Sequence, residues 1–200
     1  MTKLMRVFVP LCVSAALLVA GESIPVQPRS LVIDPAQTKV EFTLGSLLHT
    51  VHGNFQLKRG TLSFDPQSGK AYGELVVDAT SGESGSPARD KRMHASILES
   101  AKYPEIAFRP DRVDGKVAPE GKSQVQLHGV FAIHGVEHEI LLPATVDAAA
   151  GQYNVAATFE VPYVTWGMKN PSTLMLRVSD TVEIMIHTVV HMAAGTAVSH

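Results

Sequence analysis

Only one cysteine occurs in 200 residues, and Cys12 lies inside an apolar N-terminal run. A chain that sheds that run has no thiol left, so disulfide staples and thiol chemistry are excluded for the remainder. Basic clusters are scarce too. The densest, Arg89-Asp90-Lys91-Arg92, is interrupted by an aspartate, and the formal net charge is -2. Nucleic acid and anionic membrane surfaces are therefore poor candidates as partners. No apolar run reaches the roughly 20 residues that a membrane span needs, so stable membrane insertion is not expected. A Gly-x-Ser-x-Gly elbow, a Gly-rich phosphate loop and a His-Glu-x-x-His helix are all missing, so the sequence signals no enzyme.

What is present begins with a leader. Lys3 and Arg6 precede an apolar stretch over residues 7–20, and small residues follow at Ala20, Gly21 and Ser23. This order reads as a secretory signal peptide over residues 1–22, with export after cleavage between about Ala20 and Ser23. Some 180 residues then remain, roughly one domain, enough to bury a core without staples. The domain is read over residues 31–190, and the small polar tail, 192–200, is expected to fray.

Within the domain, apolar and polar residues alternate. Val40, Phe42 and Leu44 face away from Lys39, Glu41 and Thr43. The same period of two recurs at Val51, Phe55 and Leu57, at Leu75 and Val77, at Val125, Leu127, Phe131 and Ile133, and at Val155, Ala157 and Phe159. Such alternation marks half-buried strands. Turn residues at short intervals suggest an all-β fold of about eight antiparallel strands, closed as a barrel or stacked as a sandwich. The last strand is read from about Leu174 to Val190, with Val182, Ile184 and Ile186 inward, and Pro110 suits a strand end or an edge. Two connections are long. One carries Ser86-Pro87 as a helix start and Met93 with Ile97 at helical spacing, which predicts a short helix over residues 87–97. The other, residues 161–173, holds the only tryptophan, Trp166.

Several pieces occur in an order that resembles the YceI-like family over nearly all of residues 31–190. They are Ile33-Asp34-Pro35, Val51-His52-Gly53-Asn54-Phe55, Arg89-Asp90 with Lys102-Tyr103-Pro104, Leu127-His128-Gly129, Leu141-Leu142-Pro143 and Val178-Ser179-Asp180-Thr181-Val182. That family comprises bacterial lipocalin-like barrels that bind polyisoprenoids and related lipids. The resemblance implies an eight-stranded antiparallel barrel, a periplasmic or secreted location, and a polyisoprenoid or other long-chain amphiphile as ligand. It implies no cofactor and no enzymatic role. Where the family usually has an aromatic after the Arg-Asp helix, this chain has Ile97-Leu98, which would widen or reshape the pocket floor.

An eight-stranded barrel either fills with side chains or holds one small ligand. The resemblance favours the second, with Phe42, Leu44, Phe55, Leu57, Leu75, Val77, Leu127, Phe131, Val155 and Phe159 as candidate lining. Asp90 suits a helix N-terminus. Arg89 is either the anchor of that helix or, at the mouth, the partner of an anionic headgroup. Homodimerisation is left open. The nine histidines offer no recognised metal-ligand spacing: Gly135 puts a turn between His134 and His138, and His187 and His191 stand about 13 Å apart along a strand. A rival reading is a small exported enzyme or redox accessory that acts on isoprenoid quinones or uses histidine-bound metal or haem. A visible spectrum or metal analysis separates the two.

Overall fold

The alternating pattern folds into a closed barrel of eight antiparallel strands, each hydrogen-bonded to its neighbours in sequence, with the last pairing to the first. This computed structural model describes residues 29–46, 49–174 and 176–192. The expected signal peptide, and the expected tail beyond Met192, lie outside the described residues. The strands are β1 (Arg29–Gly45), β2 (Thr50–Phe64), β3 (Ala71–Glu83), β4 (Glu105–Asp114), β5 (Gly121–Ile133), β6 (Val136–Ala149), β7 (Gln152–Val161) and β8 (Val182–Met192). Closure is sealed by pairs such as Val40↔Ile186 and Phe42↔Ile184 between β1 and β8.

Irregularities bend the strands to close the ring. Pro35 sits in a break of register in β1, where Asp34 Oδ1 accepts from Ala36 N at 2.9 Å and the Asp34 carbonyl accepts from Thr38 Oγ1 at 2.8 Å. A second break falls at Lys58–Arg59 in β2 and reverses its parity. Leu57 and, three residues later, Gly60 are both buried as a result, the usual effect of one extra residue in a ladder. Pro110 stands within β4, opposite Gly129 of β5 and beside a register shift. Its missing N–H is tolerated there because β4 pairs with β3 only over Glu105 to Phe108. Salt bridges lace this short seam: Arg59 to Glu74 and to Glu105 at 3.1 Å each, Lys58 to Glu105 at 2.8 Å, and Arg109 to Glu74 at 3.6 Å.

Two segments differ from expectation. The helix over residues 87–97 is present but changes character: α1 (Pro87–Arg92) runs into a π turn (Met93–Ile97), where Leu98 N donates to the Met93 carbonyl at 2.9 Å. The last strand begins at Val182, not Leu174. Residues 174–181 extend the preceding connection, because their groups bond elsewhere. The Ser179 carbonyl accepts from the Tyr163 hydroxyl at 2.6 Å, and Asp180 Oδ1 accepts from Asn170 Nδ2 at 2.6 Å.

Candidate functional site

In an up-and-down barrel, alternate connections fall at the same end. The β1–β2 and β5–β6 connections therefore share one end with both long connections, 84–104 and 162–181. Three short turns, 65–70, 115–120 and 150–151, close the other end. That second half is filled. Ala71, Val113, Val125, Ala144, Val146 and Ala157 form one buried cluster, and Ile33, Leu57 and Val190 form another beside it.

The first half is hollow. A cavity of about 440 Å³ lies between the walls and the two long connections, within the size range of small-molecule sites. Strand residues Phe42, Leu44, Phe55, Phe131, Phe159 and Ile184 form its wall, Met93, Ile97 and Leu98 come from the helical connection, and Tyr163, Met168 and Pro171 come from the other. Glycine makes room for the aromatic wall. A Cβ on Gly53 would stand 2.3 Å from Phe42 Cζ, and one on Gly82 would stand 2.4 Å from Phe55 Cε1. The two rings, 5.4 Å apart between centroids, lie across these bare backbones.

The helical connection is fastened from both ends. Ser84 is the knot at its start: its N–H donates to Asp90 Oδ1 at 2.9 Å, its hydroxyl also donates to Asp90 Oδ1, and its Oγ and carbonyl accept from Arg89 Nε and Nη2 at 2.7 Å each. Farther along, His94 Nε2 lies 2.8 Å from the Gly82 carbonyl and Nδ1 lies 3.0 Å from Ser100 Oγ. A carbonyl can only accept, so Nε2 donates to Gly82. The π turn adds a residue to this stretch and brings Met93, Ile97 and Leu98 to the cavity together. The Ile97-Leu98 departure from the family's aromatic thus falls on the lining itself.

The connection over residues 162–181 forms the opposite part of the rim. Tyr163 is buried, and burial foremost, then the charge of Asp180, pushes its phenol up to about 12. It is therefore a neutral donor to Ser179. Trp166 stacks on His138 with ring centroids 3.9 Å apart and planes 6° from parallel, and it also meets Phe131 at 5.9 Å. His134 packs on Tyr103 at 4.6 Å. Among the described residues, the buried Nε2 atoms of His134 and His138 have no hydrogen-bond partner, though Glu99 Oε2 lies 3.7 Å from that of His134. Among the described residues, no three histidine, cysteine or carboxylate side chains are grouped to hold a metal ion.

Six of the candidate lining residues come together around the cavity: Phe42, Leu44, Phe55, Val77, Phe131 and Phe159. The other four, Leu57, Leu75, Leu127 and Val155, lie outside its lining. Leu57 is buried with Ile33 and Val190, Leu75 and Val155 pack against that group, and Leu127 packs between the filled half and the Phe131 cluster. All four have the right parity but sit too far toward the filled end. Arg89 lines the cavity and also holds Ser84, whereas Asp90 is spent on Ser84 and is not part of the lining. Missed by sequence reading were Val161, Tyr163, Met168, Leu176 and Val178. The apolar content of the long Trp166 connection was the available signal for them.

A closed eight-stranded antiparallel barrel, hollow at one end under a short helix, is a lipocalin-like barrel. The YceI-like domain matches residues 31–190, and the chain belongs to that family. Solved structures share the fold at low identity. BcnA of Burkholderia cenocepacia superposes with a TM-score of 0.66 at 16% identity, covering 78% of this chain and 98% of that one. A polyisoprenoid binding domain from Saccharophagus degradans, implicated in plant cell wall breakdown, gives 0.65 at 17% identity, with 82% and 98% covered. A YceI protein of Campylobacter jejuni gives 0.59 at 19% identity, with 74% and 88% covered. No curated protein matches the chain significantly.

Proposed function

We propose that this protein is an exported binding protein that takes the chain of a polyisoprenoid or similar amphiphile into the hollow half of its barrel. The observation that carries the reading is the cavity: about 440 Å³ enclosed by aliphatic and aromatic side chains, with few polar groups and no carboxylate among its lining residues. Membership of the YceI-like family and the polyisoprenoid binding domain among its structural neighbours support the same class of ligand. The leader supports export.

The energetics favour an apolar chain. Each buried methylene contributes about 0.8 kcal/mol, so a chain of about 20 carbons gains roughly 16 kcal/mol before costs. Association removes at least about 4 kcal/mol, and the stilled chain somewhat more. Micromolar binding then needs no polar contact, and selectivity among chains of similar length is weak. Protein purified without detergent, extracted into organic solvent and analysed by mass spectrometry, should yield long-chain lipid at close to one molecule per barrel. An extract without lipid, from a protein that also takes up none when it is supplied, would refute the proposal.

A further inference from the structure

A carrier of this kind must obtain its lipid somewhere, and the end of the barrel that bears the cavity has the features of a surface that meets a bilayer. The net charge of the chain is -2, yet the charges are unevenly placed. The four connections at the hollow end contain six cations, Arg89, Lys91, Arg92, Lys102, Lys169 and Arg177, against three carboxylates, Asp90, Glu99 and Asp180. The three turns at the filled end are balanced, Lys70 and Lys116 against Asp65 and Glu120. Around the β3–β4 seam the wall cations Lys58, Arg59 and Arg109 are all in ion pairs. Among the described residues, Lys91, Arg92, Lys169 and Arg177 have no such partner.

The same end also presents an apolar point. Leu174 is 99% exposed, whereas the next most exposed large hydrophobic residue, Tyr72, is 56% exposed. Its position is built by a turn: Thr173 N donates to the Leu176 carbonyl at 2.9 Å, and Leu176 N donates to Thr173 Oγ1 at 3.2 Å, which leaves Leu174 at the tip. The turn stands at the cavity rim, because Pro171 and Leu176 on either side of it line the cavity. Val178 is bridged to Ser46 and Ser179 N donates to the Gly45 carbonyl at 2.9 Å, so the connection is tied to the β1–β2 turn. An apolar tip flanked by Lys169 and Arg177 is the pattern that interfacial segments use on anionic lipid.

We propose that the hollow end docks on an anionic bilayer, with Leu174 entering the headgroup region and Lys169, Arg177, Lys91 and Arg92 facing lipid phosphates, so that the cavity mouth opens onto the lipid it takes up. The overall charge hides this cluster because carboxylates of the barrel wall, Glu83, Glu105, Glu137, Glu160 and Glu183 beside these connections among them, cancel it. The inference rests on the lipid-carrier reading for its purpose, but the surface is tested separately.

The test is co-flotation of the full chain with vesicles of phosphatidylcholine alone or with about a third phosphatidylglycerol, at low and at high salt. Binding should be at least roughly tenfold stronger to the anionic vesicles and should fade with salt. The double variant Lys169→Gln/Arg177→Gln should lose about 25-fold, since each cation near such a surface contributes about fivefold. Leu174→Ser should weaken binding to anionic vesicles while uptake of a soluble fluorescent isoprenoid in vesicle-free buffer stays unchanged. Lys116→Gln, at the filled end, serves as the control and should change nothing. Equal binding to both vesicle types, or variants at Leu174, Lys169 and Arg177 that float like the parent, would overturn the proposal, as would concentration-dependent self-association abolished by Leu174→Ser without vesicle binding. Loss of isoprenoid uptake by the parent itself would instead strike the lipid-carrier reading.

Discussion

The two halves of the barrel are written in the same alternating pattern and end in opposite states. The filled half is built from small residues, Ala71, Ala144 and Ala157 set among Val113, Val125 and Val146. The hollow half carries the larger ones, Phe42, Phe55, Phe131 and Phe159. Bulk therefore does not decide which half is solid. The short turns at one end let opposing walls interdigitate, while at the other end two long connections roof the walls, and Phe42 and Phe55 lie against the bare backbones of Gly53 and Gly82. A hollow is kept by what holds the rings against the wall.

The sharpest way to break the comparison is to delete matching side chains in the two halves. Leu57, 5% exposed, packs in the filled half, and Leu57→Ala should cost about 2–5 kcal/mol in lipid-free protein. Leu44 already borders empty space, so Leu44→Ala should cost less than half as much by urea denaturation. Equal losses would mean that the two halves are packed alike.

Added bulk gives the converse. Ala157→Phe forces a phenyl ring into a closed cluster, and overpacking of this kind costs about 1–3 kcal/mol. Leu127→Trp belongs with it, because Leu127 packs between two clusters. Leu44→Trp has the cavity to enter and should leave the melting temperature of the lipid-free protein within a degree or two.

Gly53→Ala probes the wall itself. The new methyl would meet Phe42 Cζ and the Glu83 carbonyl, both at 2.3 Å. The backbone oxygen cannot yield easily, so the ring must. Stability should fall by about 1–2 kcal/mol, and lipid affinity should fall with it as Phe42 turns into the cavity. A calorimetric scan and a lipid titration of this variant check both.

The smallest effect concerns the outer seam. Hydrogen bonds from Lys58 and then Arg59 hold the Glu105 carboxyl below its ordinary value of 4.5. The unfolded chain binds the proton first, so this contribution is present above about pH 4.5 and disappears as pH falls through the lower folded value. Glu105→Gln should therefore flatten the decline of melting temperature on acidification below that pH and leave lipid binding untouched. An unchanged acid limb would place the acid sensitivity elsewhere.

Much of this was legible in the sequence. Period-two alternation and turn residues marked the strands, and Ser86-Pro87 with Met93 and Ile97 marked the helical connection. The boundary between hollow and filled was not legible, because Leu44 and Leu57 have the same parity and the same chemistry and differ only in height along the barrel. The reversal at Lys58–Arg59 was hidden for a related reason: a bulge is set by pairing with β3, not by β2 alone. Residues 174–181 alternate like a strand but are claimed by Tyr163 and Asn170 from the far side of a long connection. Likewise Tyr163 and Met168 join the cavity only through tertiary closure.

The most direct measurement is a titration of lipid-free protein with a fluorescent geranylgeranyl analogue, run in parallel on the parent, Leu44→Trp and Ala157→Ser. A hollow half and a filled half predict saturable binding at one ligand per barrel in the parent. They also predict its loss in Leu44→Trp at an unchanged melting temperature, and retention in Ala157→Ser, whose change lies in the filled cluster. No saturable binding by the parent, or Leu44→Trp destabilised as strongly as Ala157→Phe, would contradict it.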